Sequence, residues 1–164
     1  MEKRNVVFEN VRGIEYIKIN TTVGTVFKKC EIKEISFTDA INTSFLECDF
    51  PTEGRSKISL LSSVGTLIDT CNIIGGERPI QTATDFKIIN SLFTNCVDSA
   101  VGSFMENAII NNNTFKDCEQ SVIIGNESLK NVVCLDNIHI NTPEINKGIN
   151  TEDSVVVRNI IFNE

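Results

Sequence analysis

A chain of 164 residues with 41% hydrophobic residues can bury a core as one domain over residues 1–164, and ten Phe against one Tyr and no Trp make that core aliphatic and Phe-based. A net charge of −7 and a pI near 4.8 oppose direct binding to a nucleic-acid backbone or an anionic membrane. No stretch approaches the ~18 apolar residues of a membrane span, and Met1 to Asn5 lead straight into a strand pattern without a signal peptide's apolar segment, so a cytoplasmic or virion-associated location is expected.

In chain order, Val6-Val7-Phe8-Glu9-Asn10-Val11 opens as a strand-like run. A small-x-large triplet then recurs as Cys30-Glu31-Ile32, Cys48-Asp49-Phe50, Cys71-Asn72-Ile73, Ser91-Leu92-Phe93, Asn113-Thr114-Phe115, Asp136-Asn137-Ile138 and Ile160-Ile161-Phe162. The steps are 18, 23, 20, 22, 23 and 24 residues, as for rungs of fixed core and turns of variable length. Between Ile88 and Val133 one unit is written twice: at a shift of 22, Ile88 falls on Ile110, Asn90 on Asn112, Phe93 on Phe115, Cys96 on Cys118, Ser99 on Ser121 and Val101 on Ile123. The short runs mix Ile, Val and Phe with alternating polar residues, which predicts strands and not a helix. Stacked one unit per turn, they predict an all-β fold: a single-stranded right-handed parallel β-helix, or β-solenoid, of about seven or eight rungs of roughly 22 residues. At ~4.8 Å per rung the stack stands about 34 Å tall.

The segments IINSLFTNC and AIINNNTFKDCEQSVIIGN resemble the repeats of the pectate-lyase-like right-handed parallel β-helix group, particularly its NosD-type proteins, and the resemblance runs from about Val6 to Phe162. It implies the fold, and it admits polysaccharide lyases and hydrolases, phage tailspikes and proteins without catalysis. Enzymes of that group are longer, so this chain is expected to be a small member or a fragment. Cys30-Glu31-Ile32 followed by Ile35-Ser36-Phe37 also resembles isolated pentapeptide repeats, a form that would keep a five-residue beat through four faces and that the sequence keeps only briefly.

Six cysteines fall in two columns, Cys30, Cys48, Cys71 and Cys96, Cys118, with Cys134 apart. Ser91 and Asn113 share the first column's slot, so reduced thiols packed as small hydrophobes are expected. No Cys-x-x-Cys or Cys/His spacing occurs, and neither a metal nor a cofactor is expected. Gly65, Gly102, Gly125 and Gly148, in phase with the Asn20 to Thr25 turn, are expected at a corner needing positive φ.

For function, the turns 51–56 and 74–79 place Glu53, Arg55, Glu77 and Arg78 at matched positions of adjacent rungs. Such a cluster suits a polar ligand or a lyase-type base with a partner for a uronate; otherwise it is a surface ion-pair network. Asp117 with Glu119, Asp98 near them, and Asp69 with Glu47 are candidate carboxylate pairs for glycoside chemistry, but none sits in a catalytic pattern. Glu106, Glu127, Glu152 and Asp153 read as an acidic ridge along lengthened turns. His139, the one histidine, is expected on the outer face opposite Ile138 and Ile140, without a nucleophile signature. The reading is therefore a non-enzymatic module presenting one lateral face to a protein or a glycan. A carbohydrate-active β-helix and, as in some pentapeptide-repeat proteins, an acidic solenoid imitating DNA are the alternatives. The run Val155 to Phe162 is mostly apolar, so association with a second copy or another chain is expected there through Val157, Ile160 and Phe162.

Overall fold

The computed structural model describes residues 3–54, 58–60, 63–81, 84–103, 105–124, 131–143, 145–147 and 155–163; among them every regular element is a strand. Among the described residues no helix is long and apolar enough to cross a membrane.

The unit of the fold is a triplet such as Val26-Phe27-Lys28 or Ser44-Phe45-Leu46, whose middle side chain is buried while its neighbours lie partly open. Period-two alternation on a short strand permits one inward residue and two outward ones. Residue two positions before the middle also turns inward, as Thr25, Cys30, Ile35, Thr43, Cys48, Thr66, Cys71, Ser91 and Asn113 do, all buried. Inward middles follow one another at five residues around a turn: Phe27, Ile32, Phe37; Phe45, Phe50; Ile68, Ile73; Ile88, Phe93; Ile110, Phe115; Cys134, His139; Val156, Ile161.

Three parallel sheets result. The first face stacks Val7–Glu9, Val26–Lys28, Ser44–Leu46, Leu67–Asp69, Lys87–Ile89, Ile109–Asn111, Val133–Leu135 and Val155–Val157. The second stacks Asp49–Pro51, Asn72–Ile74, Leu92–Thr94, Thr114–Lys116, Ile138–Ile140 and Ile160–Phe162. The third holds the remaining strands, with the long Ile17–Val23 and Ile35–Ile41 paired side by side. This is the expected all-β parallel β-solenoid. The rung count is slightly lower than expected, since the second face has six strands and the fully formed stack about six turns.

Registry is set by the columns. Phe27 pairs with Phe45, Phe45 with Ile68, Ile68 with Ile88 and Ile88 with Ile110 on the first face; Phe50 with Ile73, Ile73 with Phe93 and Phe93 with Phe115 on the second. The rings of Phe8 and Phe27 stack at 4.9 Å, Phe27 and Phe45 at 5.1 Å, and Phe93 and Phe115 at 4.9 Å. Phe8 is still partly open at the top of its column, but each ring or isoleucine shut off from water below it contributes about 1.5–3 kcal/mol, and a one-residue slip would turn the column outward.

Corners demand left-handed backbone. Before the first face lie Asn5, Gly24, Asn42, Gly65, Asp85, Asn107 and Asn131, and after it Asn10, Lys29, Glu47, Thr70, Asn90, Asn112, Asp136 and Arg158, all with positive φ. Of twenty such non-glycine residues among those described, fourteen are Asn or Asp, the side chains that tolerate this conformation best. The Asn-rich composition is thus corner chemistry. Gly24 and Gly65 sit at the first corner as expected, whereas Gly102 lies inside the strand Val101–Ser103 with no positive φ. Gly125 and Gly148 lie outside the described residues.

Two registers differ from expectation. Val101 pairs with Val122 and not Ile123, because this face shortens by one residue between turns. Near the C-terminus the inward residues are His139 and Ile161, not Ile138 and Phe162: Phe115 pairs with His139, and His139 with Ile161. The last two steps are therefore 24 and 22 residues. His139 is fully buried, so the outer-face assignment is wrong. Alternation does set it opposite Ile138 and Ile140, but those two isoleucines are the residues that face outward.

What fixes this register is an amide ladder in the small slot. Asn113, Asn137 and Asn159 occupy on the lower turns the slot that Cys30, Cys48, Cys71 and Ser91 occupy above. Asn137 Oδ1 accepts the Asn113 backbone N–H at 3.0 Å, while its Nδ2 donates to the Ile110 carbonyl at 2.9 Å and to Asn159 Oδ1 at 2.9 Å. Asn113 Nδ2 donates likewise to the Ile88 carbonyl at 2.9 Å. Carboxamides are held in the interior only because both ends are satisfied.

Candidate functional site

Two regions stand out. The first is a surface corner. The loops holding Glu53 and Glu77 do meet, since the Glu77 N–H donates to the Gly54 carbonyl at 2.6 Å. Their charges, however, turn in opposite directions. Glu53 faces Lys33 at 3.6 Å, and Lys33 also meets Glu15 at 3.4 Å; these two carboxylates raise the Lys33 pKa, Glu15 most strongly. Arg78 Nε donates instead to Asp98 Oδ2 on the following turn, and the Asp98 backbone N–H donates to Glu119 Oε2 at 2.9 Å. Arg78, Asp98 and Glu119 therefore form one string down a corner, at which Arg78 and Asp98 have positive φ. Arg55 lies outside the described residues, as do Glu127, Glu152 and Asp153. Glu106 is exposed.

The other candidate carboxylates are each engaged separately. Asp117 accepts from Asn141 Nδ2 at 2.9 Å, Asp69 from Asn90 Nδ2 and from Thr70 Oγ1 at 2.9 Å, and Glu47 meets Lys29 at 3.6 Å. Asn72 to Asp49 at 2.9 Å repeats the motif. These are rung-to-rung struts. Among the described residues, no three His, Cys, Asp or Glu side chains cluster to hold a metal ion.

The thiols line the interior. All six are free and buried, and the Cys48 backbone N–H points at Cys71 Sγ at 3.4 Å. Cys71 is raised by its hydrogen bond to Cys48 and by burial, and Cys96 by its bond to Cys118 and by burial. Cys48 is drawn down to about 7 by the Cys71 thiol, against burial. With Cys48 itself fully shut off from solvent, access limits its chemistry more than its ionisation does.

The second region is the outside of the lowest turns. Outward positions of a one-sided sheet are ordinarily polar. On the upper turns they mix the two kinds: Lys28, Glu31, Lys33 and Asp49, tied by Lys28–Glu9 at 3.2 Å and Arg12–Asp49 at 3.1 Å, stand among outward Val26, Leu46, Ile74 and Leu92. On the last two turns all eight outward positions of the first and second faces are apolar: Val133, Leu135, Ile138 and Ile140, then Val155, Val157, Ile160 and Phe162. The corner between these faces carries one ion pair, Arg158 Nε to Asp136 Oδ1 at 2.6 Å, which lowers the Asp136 pKa. Val157 is 43%, Ile160 52% and Phe162 52% exposed. The sequence reading named these three but placed Ile138 inside, which hid the other half of the wedge.

No family model matches the chain, and no curated protein matches it. It is similar to two solved structures of QnrB1, a plasmid-mediated fluoroquinolone resistance protein. One aligns at 14% identity over 99% of this chain and 92% of that one, with a TM-score of 0.40. The other aligns at 12% identity over 97% and 91%, with a TM-score of 0.39. HetL, a pentapeptide repeat protein involved in heterocyst differentiation regulation from the cyanobacterium Nostoc sp. strain PCC 7120, aligns at 7% identity over 94% and 86%, with a TM-score of 0.26. The chain's own five-residue beat and left-handed corners fit the pentapeptide resemblance seen at Cys30 to Phe37. Nothing found supports the pectate-lyase-like one.

Proposed function

We propose that this solenoid is a non-enzymatic docking scaffold that presents the outer wedge of its last two turns to a protein partner, a second copy of the chain being the simplest. The observation that carries the reading is the change in outward chemistry, from upper turns where charged residues alternate with apolar ones to two last turns whose eight outward side chains are all apolar. Contiguous exposed apolar surface bordered by polar groups is how protein interaction sites are built. Among the described residues of the wedge, the charges of Arg158 and Asp136 neutralise each other, which lets two copies meet there without adding to the repulsion of their net charge of −7. A glycan would look for aromatic platforms and free carboxylates, and the carboxylates described above are engaged by neighbouring rungs.

Sedimentation velocity tests this. The wild-type chain at tens of micromolar is expected to associate more strongly as salt screens its net charge, and Val157→Glu with Ile160→Glu to sediment as monomer with unchanged circular dichroism. A wild-type chain that stays monomeric and binds no exposed-hydrophobe dye would remove the basis of the proposal.

A further inference from the structure

In the first turns the third face is only partly covered. The strand Ile17–Val23 pairs with Ile35–Ile41 below it, but among the described residues its upper edge pairs only at Thr22 and Val23, with Lys3 and Arg4. A hollow of about 310 Å³ lies here, walled by the side chains of Val6, Phe8, Ile17 and Ile19 and by Thr22 and Thr25. Small-ligand sites begin at about this size, roughly 300 Å³.

Thr22 and Thr25 are only 8% and 1% exposed, yet neither hydroxyl has a hydrogen-bond partner among the described residues. The same two slots recur lower in the stack. Register carries Thr22 onto Ala40 and Ala40 onto Ser63, while Thr25, Thr43 and Thr66 precede the stacked Val26, Ser44 and Leu67. At Ser63 and Thr66 the slots satisfy one another: Thr66 Oγ1 donates to Ser63 Oγ at 3.0 Å, and Ser63 Oγ to the Leu60 carbonyl at 2.8 Å. On the turn between, Ala40 removes the neighbouring hydroxyl and Thr43 is left without a partner. Thr22 and Thr25 supply both hydroxyls and still do not pair. A buried hydroxyl is unfavourable unless it is hydrogen-bonded, so two of them on the wall of a hollow point to a polar group that enters it.

We propose that this hollow binds a small uncharged amphiphile, in its simplest form a primary aliphatic alcohol. Its hydroxyl lies toward Thr22 and Thr25, and its hydrocarbon lies against Val6, Phe8, Ile17 and Ile19. A hydroxyl both donates and accepts, so it can serve the two threonines at once, while the chain takes apolar wall out of water. Charged heads fit poorly. A buried carboxylate would be held by neutral donors alone, because Lys18 is exposed and alternates with buried Ile19. An ammonium head would meet no carboxylate among the described residues of the wall.

The site lies in the first turns and does not rest on the docking proposal for Val155 to Phe162. Hexanol titrated into the isotope-labelled chain is the probe, read by nuclear magnetic resonance. It is expected to shift the signals of Val6, Ile17, Ile19, Thr22 and Thr25 saturably, and hexanoate to bind more weakly by about tenfold or more. Thr22→Val with Thr25→Val keeps the shape and removes both hydroxyls. The double variant should bind hexanol about tenfold more weakly, with a melting temperature no lower than that of the wild type, since hydroxyls without partners hold nothing together. The proposal is overturned if hexanol produces no saturable shifts at these residues, if hexanoate binds as well as hexanol, or if the double variant binds hexanol as the wild type does. A double variant that is less stable overturns it too, because the hydroxyls would then already be engaged.

Discussion

The Asn42 side-chain oxygen occupies the space that a Cβ on Gly65 would need, one turn below it at the same corner. The same relation holds between Asn5 and Gly24. Both glycines have positive φ, +70° at Gly24 and +72° at Gly65, so the corner alternates an amide reaching down with a residue that has no side chain to meet it. Lower on the corner the device changes, and Asn131 Nδ2 donates to Asn107 Oδ1 at 2.9 Å.

Gly65→Ala should therefore be costly twice over, in left-handed strain of about 1–2 kcal/mol and in displacement of Asn42. Adding Asn42→Ala removes the second part only. Urea denaturation of the single and double variants is expected to show partial recovery in the double. Full additivity of the two losses would mean that the two residues do not compete for the same space.

The amide ladder makes a sharper prediction. Asn137→Leu leaves the Asn113 N–H buried without its partner, at about 1–3 kcal/mol for the orphaned group. Asn137→Ser, which imitates Ser91 in the same slot, should cost less. Ser91 Oγ itself donates to the Ile89 carbonyl at 2.8 Å and accepts the Cys71 N–H at 3.1 Å, so a hydroxyl can serve this slot. If Leu and Ser variants melt at the same denaturant concentration, the ladder is not what holds the register.

The solenoid was legible because Phe and Cys recur in columns, and in-register stacking converts a sequence period directly into contacts. The columns failed at 138 and 162 for a physical reason. Hydrophobicity alone sends Ile138 inward and His139 outward, but the buried Asn113–Asn137–Asn159 hydrogen bonds outweigh that preference and set the phase. Aligning Asn113 with Asn137 instead of Asp136, or counting five from Cys134, would have found it. The Arg78 partnership was not legible, because a long side chain at a corner can turn to either neighbouring rung, and periodicity is silent about which. The Asp98 carboxylate below, and not Glu53 above, receives it.

Reactivity of the thiols should follow access. In the folded protein at pH 8, a polar alkylating reagent is expected to modify the six cysteines only at the rate of opening, although Cys48 is drawn down to about 7. Cys48→Ser replaces a thiol donating to the Phe27 and Leu46 carbonyls, at 3.5 and 3.4 Å, by a smaller hydroxyl in the same dry slot. The cost should be about 1–3 kcal/mol. Mass spectrometry showing prompt labelling of Cys48 in urea-free buffer would show that the slot is open to solvent.

The Arg78–Asp98–Glu119 string separates a structural role from a binding one. Arg78 and Asp98 are both substantially exposed, with side chains 46% and 35% accessible, and screened surface pairs of this kind contribute about 0–1 kcal/mol. Arg78→Ala should thus leave the thermal midpoint nearly unchanged. If this corner contacts a ligand, the same substitution should weaken that binding without altering the association that depends on Val157, Ile160 and Phe162. Asp98→Ala is the more informative change, because the Asp98 backbone N–H still reaches Glu119 while Arg78 is released to solvent. Equal effects of Arg78→Ala and Asp98→Ala on binding would assign the function to the ion pair as a unit. A loss with Arg78→Ala alone would assign it to the guanidinium, and no change with either would leave the string as a strut between turns.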